Sequence, residues 1–221
     1  MGISFDDWMN RIAVRSDLCG RLTHLTKPNP IPTSKMDFDQ LNLLAVDNLI
    51  KILKDKEING SNGSGYIIGN KNAVCFQEAP LYALIQNVEF ERKLYEKSSF
   101  NKIRYCGVGL SFIKPFIYFE SSGRPVIYEK SEVAKSMLSR EEYWRIVNLN
   151  YNLINREDNA WDIVDWTHER EWRVPGNLQF EYLNTHIVLY NPRCVTYFIE
   201  NCPKNILNEI CGITTLTSVL M

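Results

Sequence analysis

Residues 166–175 read Trp166-Thr167-His168-Glu169-Arg170-Glu171-Trp172-Arg173-Val174-Pro175, and the conformation of this stretch decides how the carboxy-terminal half is built. If it is a strand, successive side chains point to opposite faces. Glu169, Glu171 and Arg173 then share one face, while His168, Arg170, Trp172 and Val174 take the other. Two carboxylates at neighbouring same-face positions repel, so the pattern needs a compensating cause. One cause is structural: an ion-pair ladder around Arg173, which contributes little at a surface, or a solvated edge strand. The other is a site in which one carboxylate does chemistry and the second sets specificity. From this segment alone both readings stay open.

Downstream, residues 185–190 and 194–199 read as apolar strands, and 203–211 as a short helix. Upstream, the spacing predicts one long helix over 131–155 capped by Ser131, preceded by a strand over 124–128. Residues 104–112 alternate small and apolar side chains, with Gly107 and Gly109 permitting close backbone approach. Leu81–Lys97 reads as a helix and Ala73–Gln77 as a buried strand. Residues 61–69 hold three glycines but no following Gly-Lys-Ser/Thr, so a loop is favoured over a phosphate cradle. Asp37, with Gln40 three residues on, starts a strong helix. Its inner face is Leu41, Leu44, Ala45, Leu49, Ile52 and Leu53, with Asn48 the polar exception, and Asn59-Gly60 is its stop. Residues 27–35 are a proline-rich loop, 21–26 a short strand, and 1–19 an amphipathic helical extension carrying Phe5, Trp8, Met9 and Ile12. Strands interspersed with helices, ending strand-rich, predict an α+β fold. No Gly-x-Gly-x-x-Gly follows a strand, which argues against a Rossmann site.

A chain of 221 residues with 45% apolar content is long enough for one substantial domain, here 20–221 behind the 1–19 extension. A net charge of -1 denies a broad electrostatic footprint for nucleic acid or membrane. No apolar run approaches the roughly 20 residues of a spanning helix. Met1-Gly2 is followed by Asp6 where a myristoylation signal favours Ser or Thr. Cys19, Cys75, Cys106, Cys194, Cys202 and Cys211 form no Cys-x-x-Cys pair and no finger spacing with histidine, so they read as reduced thiols of a cytoplasmic protein with no metal. Neither a Gly-x-Ser-x-Gly elbow nor a sugar cleft is legible.

The order of the short motifs carries a resemblance. A strand with His24-x-Thr26 precedes the helix, then Val74-Cys75-Phe76-Gln77-Glu78 runs into Ala79-Pro80-Leu81. Tyr105-Cys106-Gly107-Val108-Gly109-Leu110 follows, then Gly123 to Tyr128, and late in the chain Glu169-x-Glu171-Trp172-Arg173. This order resembles the ADP-ribosyltransferase fold of bacterial toxins and phage-defence proteins, most nearly the AbiGi-type abortive-infection proteins and more distantly the DarT toxins. The resemblance implies split antiparallel sheets holding NAD as co-substrate. It places His24 and Thr26 on the ribose and the nicotinamide amide, Phe76, Gln77 and Tyr105 around the nicotinamide, Glu171 as the catalytic carboxylate and Glu169 on the acceptor side. An arginine-first arrangement would put Arg21 in the place of His24. The second strand has Cys75-Phe76-Gln77 where the family pattern has Ser-Thr-Ser. Implied partners are an acceptor, either nucleic acid (RNA or DNA) or protein, and a cognate antitoxin. A transferase-like scaffold serving only as a binding module is the alternative.

Overall fold

The computed structural model describes residues 2–62, 66–98, 103–155, 157 and 160–220; Gly63 and Gly65 of the expected 61–69 loop lie outside them. The fold is α+β, with mixed, mostly antiparallel strand pairing and flanking helices. The chain divides into two compact units: Met1–Glu57, Ala79–Phe116 and Gln179–Met221 form the first, Ile58–Glu78 and Ile117–Leu178 the second.

In the first unit the strands lie side by side in the order Gly212–Thr215, His186–Leu189, Gly109–Ile113, Arg21–Leu25. The first pair is parallel and the other two are antiparallel. Leu22, Leu110, Phe112 and Ile187 share one face and are fully buried. Each such side chain contributes about 1.5–3 kcal/mol by leaving water. The expected 104–112 strand begins only at Gly109, and the glycine is required there: a Cβ would sit 2.1 Å from the His24 carbonyl oxygen across the pair.

Helix Phe38–Asp55 starts as expected, the Asp37 carboxylate accepting from the Asp39 and Gln40 amides at 3.0 and 3.4 Å. Its end differs from expectation. Lys56, not the Asn59-Gly60 pair, takes the left-handed conformation (φ 51°), and its ammonium is held 2.6 Å from the Glu181 carboxylate. Gly60 serves close packing instead, since a Cβ there would lie 2.2 Å from the Gly176 oxygen. The buried stripe is also turned from the expected one: Asn42, Val46 and Ile50 are buried, whereas Leu44 and Ile52 are half-buried. Asn42 is satisfied there, donating to Phe38 O and accepting from the Gly107 amide at 2.9 Å. Residues 194–199 are not a strand. They belong to helix Pro192–Asn201, where the Asn191 side chain accepts from the Cys194 amide at 3.0 Å, with Pro192 in the first turn. Within the expected 1–19 extension, Phe5–Ala13 is helical and has no buried residue.

In the second unit Glu171–Pro175 lies between Ala73–Gln77 and Arg124–Pro125, antiparallel to both. The expected 124–128 strand breaks at Val126, so that Ile127–Glu129 pairs in parallel with Ile146–Asn148. The single helix expected over 131–155 is overturned. Ser131–Met137 is helical, Arg140–Arg145 is a 3-10 turn, and Ile146–Asn148 and Asn150–Asn155 are strands. Asn150–Asn155 forms a hairpin with Ala160–Val164. The long-helix reading weighed apolar spacing over β-branched content. Ile146-Val147 and the alternation Tyr151, Leu153 suit a pleated strand better than a helix. Ile67, Ala73 and Trp144 make a small buried cluster with Cys75 packed on it.

Candidate functional site

The 166–175 stretch is a strand only from Glu171 onward. Thr167–Glu169 form a 3-10 turn and Arg170 takes the left-handed conformation (φ 45°), so strict alternation fails at the very residue that separates the two glutamates. The turn is held by Asp165, whose carboxylate accepts from the Thr167 amide at 2.8 Å and the Thr167 hydroxyl at 2.7 Å. The Tyr151 hydroxyl of the hairpin donates to the same carboxylate. These bonds pull the Asp165 carboxyl down to about 2, the Tyr151 hydroxyl first and Thr167 next.

Within the strand the expected pairing of Glu171 with Arg173 is present and tight. Arg173 Nε donates to Glu171 Oε1 at 2.7 Å and Nη2 to Oε2 at 3.3 Å. The other nitrogen, Nη1, donates to the carbonyls of Trp144 and Ile146 at 2.7 and 3.1 Å. Arg173 is 3% exposed at its side chain and Glu171 14%. Burial works against the guanidinium charge most strongly of any single influence, and Glu171 and Cys75 together outweigh it, raising the pKa. Cys75, opposite Arg173 in register, has its thiol pushed well up by burial and then by Glu171, so it stays protonated.

Glu169 reaches the same neighbourhood by another route. The Gln77 amide, directly opposite Glu171 in register, donates to the Glu169 carboxylate, which is also 14% exposed. His168 is not on an opposite strand face: it sits on the 3-10 turn, 54% exposed, with Nε2 3.8 Å from Glu169 Oε1. The Tyr128 hydroxyl accepts from the Glu171 amide at 2.7 Å, which leaves its own proton available; burial pushes this phenol up to about 12. The far side of the turn is tied down as well. Arg170 and the Trp172 indole each donate to a different oxygen of Glu78 at 2.8 Å.

Tyr128, Glu78 and the Trp144 carbonyl escaped sequence reasoning. Their only signal was position, Tyr128 at the end of an expected strand and Glu78 directly after Gln77. Cross-strand register is not written in local sequence.

The other expected residues are placed differently. Phe76 lies on the face opposite Glu171 and Gln77, paired with Trp172, and at 1% exposed it is core; it offers a nicotinamide no surface. Thr26 belongs to the first unit and is buried, its hydroxyl accepting from Asn48 at 2.8 Å. Asn48 also donates to Lys27 O, which explains the one polar residue on that helix face. His24 and Tyr105, likewise of the first unit, are half-buried. Arg21 is occupied by Ser111, donating to its hydroxyl at 3.2 Å and its carbonyl at 2.7 Å.

Among the described residues no helix is long and apolar enough to cross a membrane, and no group of three or more His, Cys, Asp or Glu side chains is placed to hold a metal ion. No family model, curated protein or solved structure matches this chain.

Proposed function

We propose that the chain is an NAD-dependent ADP-ribosyltransferase, a toxin or anti-phage effector that modifies a nucleic-acid or protein acceptor. The observation that carries this reading is the gathering of Glu169 and Glu171, each only slightly exposed, about the buried Gln77 amide. When bound, NAD supplies a nicotinamide–ribose bond whose cleavage develops positive charge on the sugar, as in glycoside cleavage.

Glu171 is fixed by the Arg173 fork, so its carboxylate needs no reorganisation during reaction. A carboxylate has about four lone-pair positions. Arg173 engages one on each oxygen, which leaves others to accept a ribose hydroxyl. The Arg173 charge also weakens Glu171 as an electrostatic partner for the sugar. Glu169 accepts from the Gln77 amide, a neutral donor, which suits it to take the proton of an acceptor hydroxyl or amine. With NAD bound, Glu169 would take the acceptor proton as the acceptor oxygen or nitrogen displaced nicotinamide from the sugar carbon, and Glu171 would face the charge developing there. Of the expected cofactor contacts in the second unit, Gln77 remains assigned to NAD and Phe76 does not.

The test is incubation with labelled NAD and separate pools of DNA, RNA and protein, with Glu171→Gln and Glu169→Gln alongside. Loss of one preorganised electrostatic group lowers rate on the order of 100- to 1000-fold. Equal labelling by the Glu171→Gln protein would remove Glu171 from the chemistry.

A second reading is favoured by the Arg173 geometry itself. A guanidinium bonded to one carboxylate and two carbonyls has the coordination of a structural ion pair, which fits a non-catalytic binding module such as an antitoxin or partner-binding component. NAD raises the melting temperature of the transferase and leaves that of the module unchanged.

A further inference from the structure

The first unit carries a polar cluster that the carboxylate chemistry does not use. Register places Thr23 opposite Ser111, Ser111 opposite His186, and His186 opposite Gly212, so these positions form one row across neighbouring strands. Arg21 lies on the same face, two residues from Thr23, and reaches Ser111 with Nε and Nη2 at 3.2 and 2.7 Å. The Thr23 hydroxyl also meets the Ser111 hydroxyl at 3.2 Å. On the next strand, His186 Nε2 is 2.7 Å from the Thr214 hydroxyl. Gly212 lies beside the imidazole: a Cβ there would stand 3.1 Å from its Cε1 and Nδ1.

The charge balance of this cluster is uneven. Arg21 is half-buried, and among the described residues no carboxylate forms an ion pair with it. Its neighbours in charge are His186 and the thiols of Cys19 and Cys211. A cation withdrawn from water is ordinarily paired. Here burial weakens both bases: it lowers the Arg21 pKa, and burial followed by Arg21 holds the His186 imidazole below its ordinary value. Arg21 Nη1 makes no hydrogen bond with any described residue, and with His186 Nε2 taken by Thr214, Nδ1 is the ring nitrogen left over.

We propose that Arg21, His186 and the Thr23–Ser111 hydroxyl pair form a binding site for a small oxyanion, a phosphate or carboxylate group. Arg21 supplies the charge and Nη1 donors, Ser111 and Thr23 hold the guanidinium in place, and His186 adds a donor at Nδ1. None of Glu169, Glu171 or Gln77 takes part, so the site stands whether or not the chain transfers ADP-ribose. Because the anion favours imidazolium, binding strengthens as pH falls through the His186 titration.

The experiment follows the His186 ring proton by NMR across pH in sodium chloride, in inorganic phosphate and in acetate at equal ionic strength. The expected result is an upward displacement of the His186 titration by about one unit in at least one oxyanion, equivalent to tenfold tighter binding to the protonated form. Phosphate and acetate separate a phosphoryl from a carboxyl preference. Arg21→Gln removes the displacement. If that protein does not fold, Arg21→Lys is measured instead; it keeps the charge, loses the fork on Ser111, and at least halves the displacement. The proposal is overturned if the titration is the same in all three salts, or if the folded arginine variant keeps the full displacement.

Discussion

Arg173 is the residue on which the local structure of the second unit turns. Four hydrogen bonds from its guanidinium meet one carboxylate and two carbonyls, from a position with almost no contact with water. Replacing it by Met keeps bulk but leaves Glu171 and the carbonyls of Trp144 and Ile146 without those donors. Breaking a buried pair by removing one partner costs about 3–5 kcal/mol. Glu171→Gln is milder, on the order of 1.5–3 kcal/mol, since an amide oxygen still accepts one charged hydrogen bond. Urea unfolding of the two proteins checks this ranking. A Glu171→Gln protein as damaged as Arg173→Met would mean that Arg173 cannot be held by its two carbonyls. The Glu171–Arg173 pairing was legible because strand alternation holds from Glu171 onward. Glu169 was not placed correctly, because an arginine at φ 45° gives no sequence warning of the kind a glycine or asparagine gives. Its link to Gln77 depends on a strand register nearly a hundred residues away in sequence, which no local pattern encodes.

At the level of elements, capping separates the segments that were legible from those that were not. Phe38–Asp55 announced itself through Asp37 and a sustained apolar stripe, and the carboxylate caps two amides as expected. Asp37→Ala therefore lowers the unfolding free energy by about 1 kcal/mol. Ser4 caps Phe5–Ala13 in the same way, its hydroxyl oxygen accepting from the Asp7 amide at 3.1 Å. That helix buries no residue, so Ser4→Ala frays it without moving the global transition. Circular dichroism for local helix content, combined with thermal melts for global stability, separates the two outcomes. If Ser4→Ala lowers the melting temperature as much as Asp37→Ala, the first helix is part of the cooperative core. Residues 194–199 show the opposite failure. Val195, Tyr197, Phe198 and Ile199 favour a strand locally, but the Asn191 cap, Pro192 in the first turn, and burial of Cys194 and Phe198 one helical turn apart decide for a helix. The signal was present in Asn191-Pro192 and was outweighed by side-chain propensity. In 131–155 the error ran the other way, toward a helix: Ser131, expected as the cap, is instead the first residue of the short helix Ser131–Met137, whose cap position is Lys130 with no side-chain cap bond, and β-branched pairs take over beyond it.

At the scale of the whole molecule, each unit is assembled from segments distant in sequence, and this fixes what the chain tolerates. The first unit takes its strands from 21–25, 109–113, 186–189 and 212–215, so its carboxy-terminal segment supplies two consecutive strands at one end of the order and covers the edge of Gly109–Ile113. His186–Leu189 is the antiparallel neighbour of Gly109–Ile113, and Ile187, Val188 and Leu189 are all fully buried. Helix Pro192–Asn201 packs on helix Phe38–Asp55, where the Tyr197 hydroxyl donates to Asp47 at 2.8 Å and the Asn191 amide to Asp39 at 3.0 Å. A chain ended after Leu178 would expose the unpaired edge of Gly109–Ile113 together with the buried faces of Leu110 and Phe112. Those three missing strand side chains alone represent roughly 5–9 kcal/mol of burial, at about 1.5–3 kcal/mol each, which is comparable to the whole stability of a domain. The shortened chain is therefore expected to lack cooperative unfolding and to show poor dispersion in its amide NMR spectrum. A shortened chain with native-like dispersion and a sharp melt would place the stabilising core of the first unit in residues 1–116, and the carboxy-terminal strands would then be additions to a sheet that folds without them.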